Sequence, residues 1–278
     1  MSGVATVENW SGKDRGAENF PVGSLLIRRD LRAHVHAFYT FARNADDIAD
    51  SATLPAEDKI ARLDAMEDVL LGRSDAGSPS AVRLRASLAE TGVSPRHSAD
   101  LLIAFRRDAT KLRYANWNEL LDYCRYSAMP VGRYVLDLHG EDRATWEPSD
   151  ALCTSLQVLN HLQDAAKDLL ALDRCYLPED LLGRFGASIE DLRGTAATQG
   201  LRRVFDALLE RVDALNVAAT DLPRLVRSRR LRMETAVIVG LAHRLVRRLR
   251  RDDPVARRVK LTKGDAVGSV LAALRYLL

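Results

Sequence analysis

Apolar residues recurring at three- and four-residue steps dominate this chain, and they restrict it to helices. Leu201, Val204, Phe205, Leu208, Leu209, Val212 and Leu215 form one continuous stripe, the pattern of an amphipathic helix with a single buried face. Ile60, Leu63, Met66 and Leu70 repeat it. Strand signals are scarce: β-branched alternation is rare and no Asn-Gly hairpin turn occurs. Residues 72–80 (GRSDAGSPS), 140–149 and 183–200 read as loops. Pro55, Pro95, Pro148 and Pro223 stand where a helix can begin, because a first turn tolerates proline. Pro130 differs, since it lies inside the helical run 120–138, where it should kink the helix and free backbone carbonyls. With no repeat, low-complexity segment or linker, the economical reading is one all-α domain over 1–278, residues 1–17 forming a flexible leading segment.

Composition excludes several classes. At 47% hydrophobic and 28% charged the chain can build a substantial core. A net charge of +3 points to no partner by itself. The charge is concentrated, however: residues 224–258 hold twelve arginines against Glu234, Asp252 and Asp253. Such a run is either a solvated helix face laced with salt bridges or a patch for phosphates or anionic lipid. Nucleic acid is not expected, because no aromatics are interleaved and no binding motif is present. Cys124, Cys153 and Cys175 are odd in number and widely spaced, which argues against a disulfide framework or a structural zinc. Residues 1–16 are polar with both charge signs, unlike a signal or transit peptide. The longest apolar run, 236–242, is too short to span a bilayer. The expectation is a cytoplasmic protein with room for peripheral contact at the inner face of an anionic membrane.

Two helices carry an unusual arrangement of acids. In VHAFYTFARNADDIAD (35–50), Tyr39, Arg43, Asp46, Asp47 and Asp50 share a stripe, while Val35, Phe38, Ala42, Ala45 and Ala49 fill much of the rest. Aspartate is a poor helix former, and three within five residues repel one another. In LCTSLQVLNHLQDAAKDLL (152–170), Gln157, Asn160, His161, Asp164 and Asp168 again share a stripe on a helix apolar elsewhere. A polar stripe so flanked lines an internal cavity, where bare carboxylates are costly unless protonated or bound to a metal. Oxygen-rich ligands of this kind suit Mg²⁺, a hard ion that keeps waters and bridges carboxylates to phosphate oxygens. The Glu-x-x-His pairs of a di-iron bundle and the HExxH of a zinc hydrolase are absent.

At these residues the sequence resembles the head-to-head prenyl synthases, the squalene, phytoene, presqualene-diphosphate and hydroxysqualene synthases. The resemblance runs over about 18–192 through ENFPVGSLLIRRDLRAHVHAFYTFARNADDIAD, YCRYSAMPVGRYVLDLHG and NHLQDAAKDLLALDRCYLPED, in order and spacing. It is strongest to the bacterial branch that makes hydroxysqualene for hopanoids, through ENFPV, SAMPVGR and LDRCYLP. It implies an isoprenoid-synthase helical bundle around a central cavity. It also implies that Asp46, Asp47 and Asp50 on one rim and Asp164 and Asp168 on the other hold two or three Mg²⁺ ions. Arg43 and Arg174 would bind diphosphate with fork-like donors. Gln157 and Asn160 would orient metal-bound water or diphosphate, and Phe20, Tyr39 and Tyr123 would line the reacting end.

The implied reaction is Mg²⁺-assisted ionisation of presqualene diphosphate, rearrangement and capture by water, without NADPH. Presqualene-diphosphate, squalene and phytoene synthesis are the alternatives within the family, and a non-catalytic helical scaffold is the alternative outside it. Two positions depart from the family pattern: Lys167, where an acid is common, and Gln163, where an arginine is common.

Overall fold

The computed structural model describes residues 6–8 and 27–276. Phe20 therefore lies outside the described residues. The described residues form twelve α-helices and short 3₁₀ turns, with no strand. In chain order the helices are α1 (Arg32–Ala49), α2 (Ala56–Leu70), α3 (Pro79–Thr91), α4 (Arg96–Asp108), α5 (Trp117–Ser127), α6 (Met129–Leu138), α7 (Trp146–Leu172), α8 (Glu179–Phe185), α9 (Gln199–Ala219), α10 (Leu222–Leu225), α11 (Arg229–Arg251) and α12 (Lys263–Ala273).

The apolar periodicity decides which faces are buried. Leu201, Val204, Phe205, Leu208, Leu209 and Val212 are at most 1% exposed, each worth about 1.5–3 kcal/mol as buried side chains. Through this stripe α9 packs on α7 and α11. The core falls into two main clusters. One gathers α5, α7, α8, α9 and α11. The other joins α1 to α2, α3 and α4, with Tyr134 and Leu138 from α6. The two aspartate helices thus belong to different halves of the interior.

The structure corrects the expected kink at Pro130. Ala128 leaves the helical region (φ −124°, ψ −50°), so α5 ends and α6 starts afresh with Pro130 in its first turn. There proline's missing N–H costs nothing, because first-turn donors have no intrahelical partner anyway. The turn brings α6 hard against α7: a Cβ on Gly132 would stand 2.4 Å from Ser149 Oγ and 2.7 Å from Cys153 Sγ. The expected loop at 140–149 is also shorter than the composition implied, since a 3₁₀ turn at Arg143–Thr145 leads into α7 at Trp146. At the leading end, the Glu8 carboxylate caps α3, accepting the Ser80 backbone N–H (3.0 Å) and the Ser78 and Ser80 hydroxyls. This is a favoured place for an anion, at the positive end of a helix.

Candidate active site

The first acid stripe is partly neutralised by its own helix. Arg43 Nη1 reaches Asp46 Oδ2 at 3.0 Å and Nη2 reaches Asp47 Oδ1 at 3.2 Å, the i+3 and i+4 spacings of a helix surface. Asp47, only 5% exposed, is turned toward Arg43. Asp50 caps α1 and is paired across the gap: its Oδ1 accepts from Arg174 Nη1 at 3.0 Å.

Arg174 can reach back because α7 ends on Asp173 in the left-handed region (φ 51°), a conformation aspartate tolerates better than most residues. Arg113 holds that turn through the Asp173 carboxylate (2.7 Å) and its carbonyl. Arg174 then spans both halves of the interior. Besides Asp50, it donates from Nη2 to the Asp108 carbonyl at 2.9 Å and lies 3.9 Å from the Asp108 carboxylate.

Asp108 ends α4, is 5% exposed, and accepts hydroxyl hydrogen bonds from Tyr123 (2.8 Å) and Tyr176 (3.1 Å). Tyr114 stacks on Tyr176 and meets Tyr123 edge-on, closing an aromatic shell around one buried anion. Burial pushes the Asp108 carboxyl up to about 6, against the pull of Arg174 and the tyrosine hydroxyls. Burial likewise raises the Tyr123 and Tyr176 hydroxyls well above their ordinary range.

The second stripe has a different partner. Asp164 is gripped by Arg258, with Nε to Oδ1 at 2.7 Å and Nη2 to Oδ2 at 2.9 Å, from the segment joining α11 to α12. The Asp168 carboxylate makes no ion pair or hydrogen bond among the described residues. Burial raises Asp168 to about 6, with Asp164 and Asp50 adding to the shift. Loss of hydration raises Asp46 to about 7, with Asp50, Asp108 and Asp47 adding and Arg43 opposing. The charge of Asp50 on α1 thus bears on both stripes. Beside the junction opens a cavity of about 440 Å³ lined by Lys59, Asp108, Leu169, Asp173 and Arg174.

The remaining candidates are distributed as follows. Tyr39, Gln157 and Asn160 are half-buried. The Gln157 amide meets His161 Nε2 at 3.1 Å, and His161 stacks on Tyr176 at 3.5 Å. Burial and the nearby Arg174 lower His161 to about 3, so it is a neutral packing histidine. The departure at Gln163 is internal, its amide donating to the Val259 carbonyl, whereas Lys167 is exposed. Burial pushes the Cys124 and Cys153 thiols up to about 12 and 11, leaving them poor nucleophiles.

Asp108, Tyr176 and Arg258 were not among the residues singled out from sequence. Tyr176 stands two places after Arg174 within LDRCYLP and Arg258 closes the arginine-rich run, whereas Asp108 carries no local signal.

The donor chemistry suits a hard divalent ion. No three His, Cys, Asp or Glu side chains converge on one point among the described residues. The acids come in pairs, and burial, with like charge adding, raises Asp46 and Asp168 above the ordinary carboxylate range. Mg²⁺ commonly takes only one or two carboxylates and completes its shell with water and substrate phosphate.

An all-helical bundle whose two carboxylate-bearing helices belong to different halves of the interior and are linked by Arg174 on Asp50 has the architecture of the isoprenoid synthases. The chain belongs to the squalene/phytoene synthase family, whose model matches residues 13–265. Among its relatives, hydroxysqualene synthase of Rhodopseudomonas palustris is 48% identical over 90% of this chain and 86% of that protein. That of Zymomonas mobilis is 43% identical over 95% and 89%. Among solved structures, squalene synthase HpnC from Alicyclobacillus acidocaldarius aligns with a TM-score of 0.74 at 37% identity, covering 85% of this chain and 90% of that one. A dehydrosqualene synthase shares the fold, with a TM-score of 0.80 at 21% identity over 94% and 92%.

Proposed function

We propose that this chain is a hydroxysqualene synthase, acting on presqualene diphosphate and using Mg²⁺. The observation that carries the reading is the convergence at Arg174, which ties the first carboxylate stripe to the end of the helix bearing the second. The identity to two hydroxysqualene synthases over nine-tenths of the chain or more selects the reaction within the family.

Asp46 with Asp50, and Asp164 with Asp168, would hold Mg²⁺, which neutralises a leaving diphosphate and so favours C–O cleavage. Asp47 orients Arg43. Arg43 and Arg174, which now grip carboxylates, present planar donor forks that fit diphosphate oxygens equally well. Gln157 and Asn160, half-buried on the helix of the second stripe, would orient water or diphosphate. Tyr39 and Tyr123 line the reacting end, where the face of an aromatic ring stabilises a cation. The departing oxygen keeps the bonding pair, the carbon skeleton rearranges, and water adds to the cation and loses a proton. NADPH is not required, because no hydride is delivered.

Peripheral contact with an anionic membrane belongs to the same reading, since the product is a hydrocarbon-rich alcohol; no nucleic acid takes part. Among the described residues no helix is long and apolar enough to cross a membrane.

The test is incubation with Mg²⁺ and either presqualene diphosphate or farnesyl diphosphate, with and without NADPH. Hydroxysqualene from presqualene diphosphate without NADPH is expected. Consumption of farnesyl diphosphate alone would defeat the assignment. Squalene appearing only with NADPH would select a squalene synthase instead.

A further inference from the structure

Helix α12 is apolar on both sides, and only one side is covered. Its inner face sits on α11: Ser269 and Ala273 are 1% exposed, and Ala273 joins Met233 and Ala236 in a small separate core. Polar contacts fix the docking, Arg248 Nε to Asp265 at 2.6 Å and Arg244 Nε to Ser269 Oγ at 3.0 Å. The outer face carries Val267 (59% exposed), Val270 (44%), Leu271 (62%) and, on the following turn, Leu274 (43%). These positions are i, i+3, i+4 and i+7, one continuous helical stripe. They make up four of the ten exposed large apolar side chains among the described residues, whereas the other six are spread along the chain. Isolated exposed apolar residues are ordinary, but a contiguous stripe marks a contact surface.

Charge selects the occupant. Lys263 stands one turn before Val267 on this stripe, and Arg275 one turn after Leu271. Lys260 is exposed just ahead of the helix. None of the three is ion-paired among the described residues. The single acid in 260–276 is Asp265, which is committed inward to Arg248 and Thr262. A second copy meeting this face would bring the same cations together around the apolar contact. An anionic bilayer offers the complement: apolar depth for the stripe, and headgroup phosphates for long side chains that snorkel outward.

The arginine-rich stretch is a poorer candidate for the same contact. Nine of its twelve arginine side chains are engaged within the protein, among them Arg248 on Asp265, Arg250 on Asp213 and Arg258 on Asp164.

We infer that the outer face of α12, with Lys260, Lys263 and Arg275 around it, is a docking surface for an anionic lipid bilayer. The segment leading into α12 carries Arg258 on Asp164, and Gln163 binds its Val259 carbonyl. The membrane face therefore lies a few residues along the chain from the segment that contacts the second carboxylate stripe. The inference deepens the proposed peripheral contact but does not depend on which reaction the enzyme performs.

The test is co-sedimentation of the full chain, without substrate, with vesicles of equal parts phosphatidylglycerol and phosphatidylcholine, and with vesicles of phosphatidylcholine alone. The wild type is expected to pellet with the anionic vesicles and to release in high salt. Val267→Ser with Leu271→Ser should weaken binding at least about tenfold. Lys263→Glu with Arg275→Glu should weaken it by a similar factor. Val217→Ser, an exposed apolar residue on α9, should change nothing, and melting curves should show all variants folded. Binding by the Ser pair equal to wild type, or a wild type that stays in the supernatant, would overturn the assignment. So would a concentration-dependent dimer in sedimentation velocity that Leu271→Ser dissolves, because the face would then join two copies. Since turnover is never measured, failure here leaves the catalytic reading untouched.

Discussion

The two carboxylate stripes are alike in composition and opposite in how their charge is managed. On α1 the counter-charge is local: Arg43, one turn away, takes Asp46 and Asp47, and only Asp50 depends on a distant residue. On α7 no side chain of the helix pairs with an acid: Asp164 relies on Arg258, 94 residues further along the chain, and Asp168 makes no ion pair among the described residues, feeling Lys167 and Arg174 only from beyond contact distance. A helix that carries its own arginine keeps a defined geometry whether or not a ligand is present. A helix with a bare carboxylate has charge to spare, and that charge is available to a cation. The first stripe is thus the more preorganised half of the site and the second the more responsive half.

The severest way to break this comparison is to remove one ligand from each side. Asp46→Asn and Asp164→Asn should each reduce product formation from presqualene diphosphate by about a thousandfold or more, the scale of losing charge stabilisation at a leaving group. Melting temperatures should stay level or rise, because each change removes like-charge repulsion. Full activity in either variant would remove the metal reading, and a steep loss of stability would show that the carboxylate supports the fold.

A smaller loss is expected where the halves are joined. Asp108 anchors Arg174 and two tyrosine hydroxyls, so Asp108→Ala leaves a buried guanidinium and two hydroxyls without their acceptor. That should cost about 3 kcal/mol or more of stability. Asp108→Asn keeps an acceptor and should retain most stability while turnover falls by about ten- to a hundredfold. Combining it with Arg174→Gln should add little further loss if the two act as a unit. Fully additive effects on kcat would mean that Asp108 does not work through Arg174.

The local features of this site were legible in the sequence and the distant ones were not. The stripe on α9 and both acid stripes follow from spacing, because helical periodicity fixes which side chains share a face before any tertiary contact forms. Asp108 gave no sign, since its importance comes from three partners at separations of 15, 66 and 68 residues. Arg258 was legible only as one charge in a run, and spacing does not reveal which arginine of twelve reaches Asp164. Pro130 pointed to a disruption at the right place, but whether a helix bends or restarts depends on how closely α6 must approach α7 at Gly132.

A gentler probe of the same asymmetry is pH. Asp46, Asp108 and Asp168 are all raised above the ordinary carboxylate range in the fold and together outweigh His161, which is lowered to about 3 and acts in the opposite sense, so between pH about 4 and 7 the native state binds more protons than the unfolded chain. Stability of the metal-free protein should therefore fall as pH rises through that window. Melting at pH 5.5 is expected roughly 2–5 °C above melting at pH 8. Asp168→Asn should flatten the slope, because it removes one of the raised carboxyls, and Mg²⁺ with inorganic diphosphate should flatten it in the wild type. A metal-free protein that melts higher at pH 8 would mean that the carboxylates are not crowded in solution.

The smallest effect should come from Arg258→Gln. Its ion pair with Asp164 is about a third exposed on the arginine side, so its loss should cost at most about 1 kcal/mol of stability. The informative readout is not stability but the pH slope. Without Arg258 the second stripe holds two carboxylates with no ion pair, and the fall in melting temperature between pH 5.5 and 8 should steepen. Arg43→Gln should steepen it too, because Arg43 opposes the rise of Asp46, and the comparison between the two variants is then quantitative. If Arg258→Gln leaves the slope unchanged while Arg43→Gln alters it, the long-range pair contributes nothing in solution, and the second stripe is as bare at Asp164 as it is at Asp168.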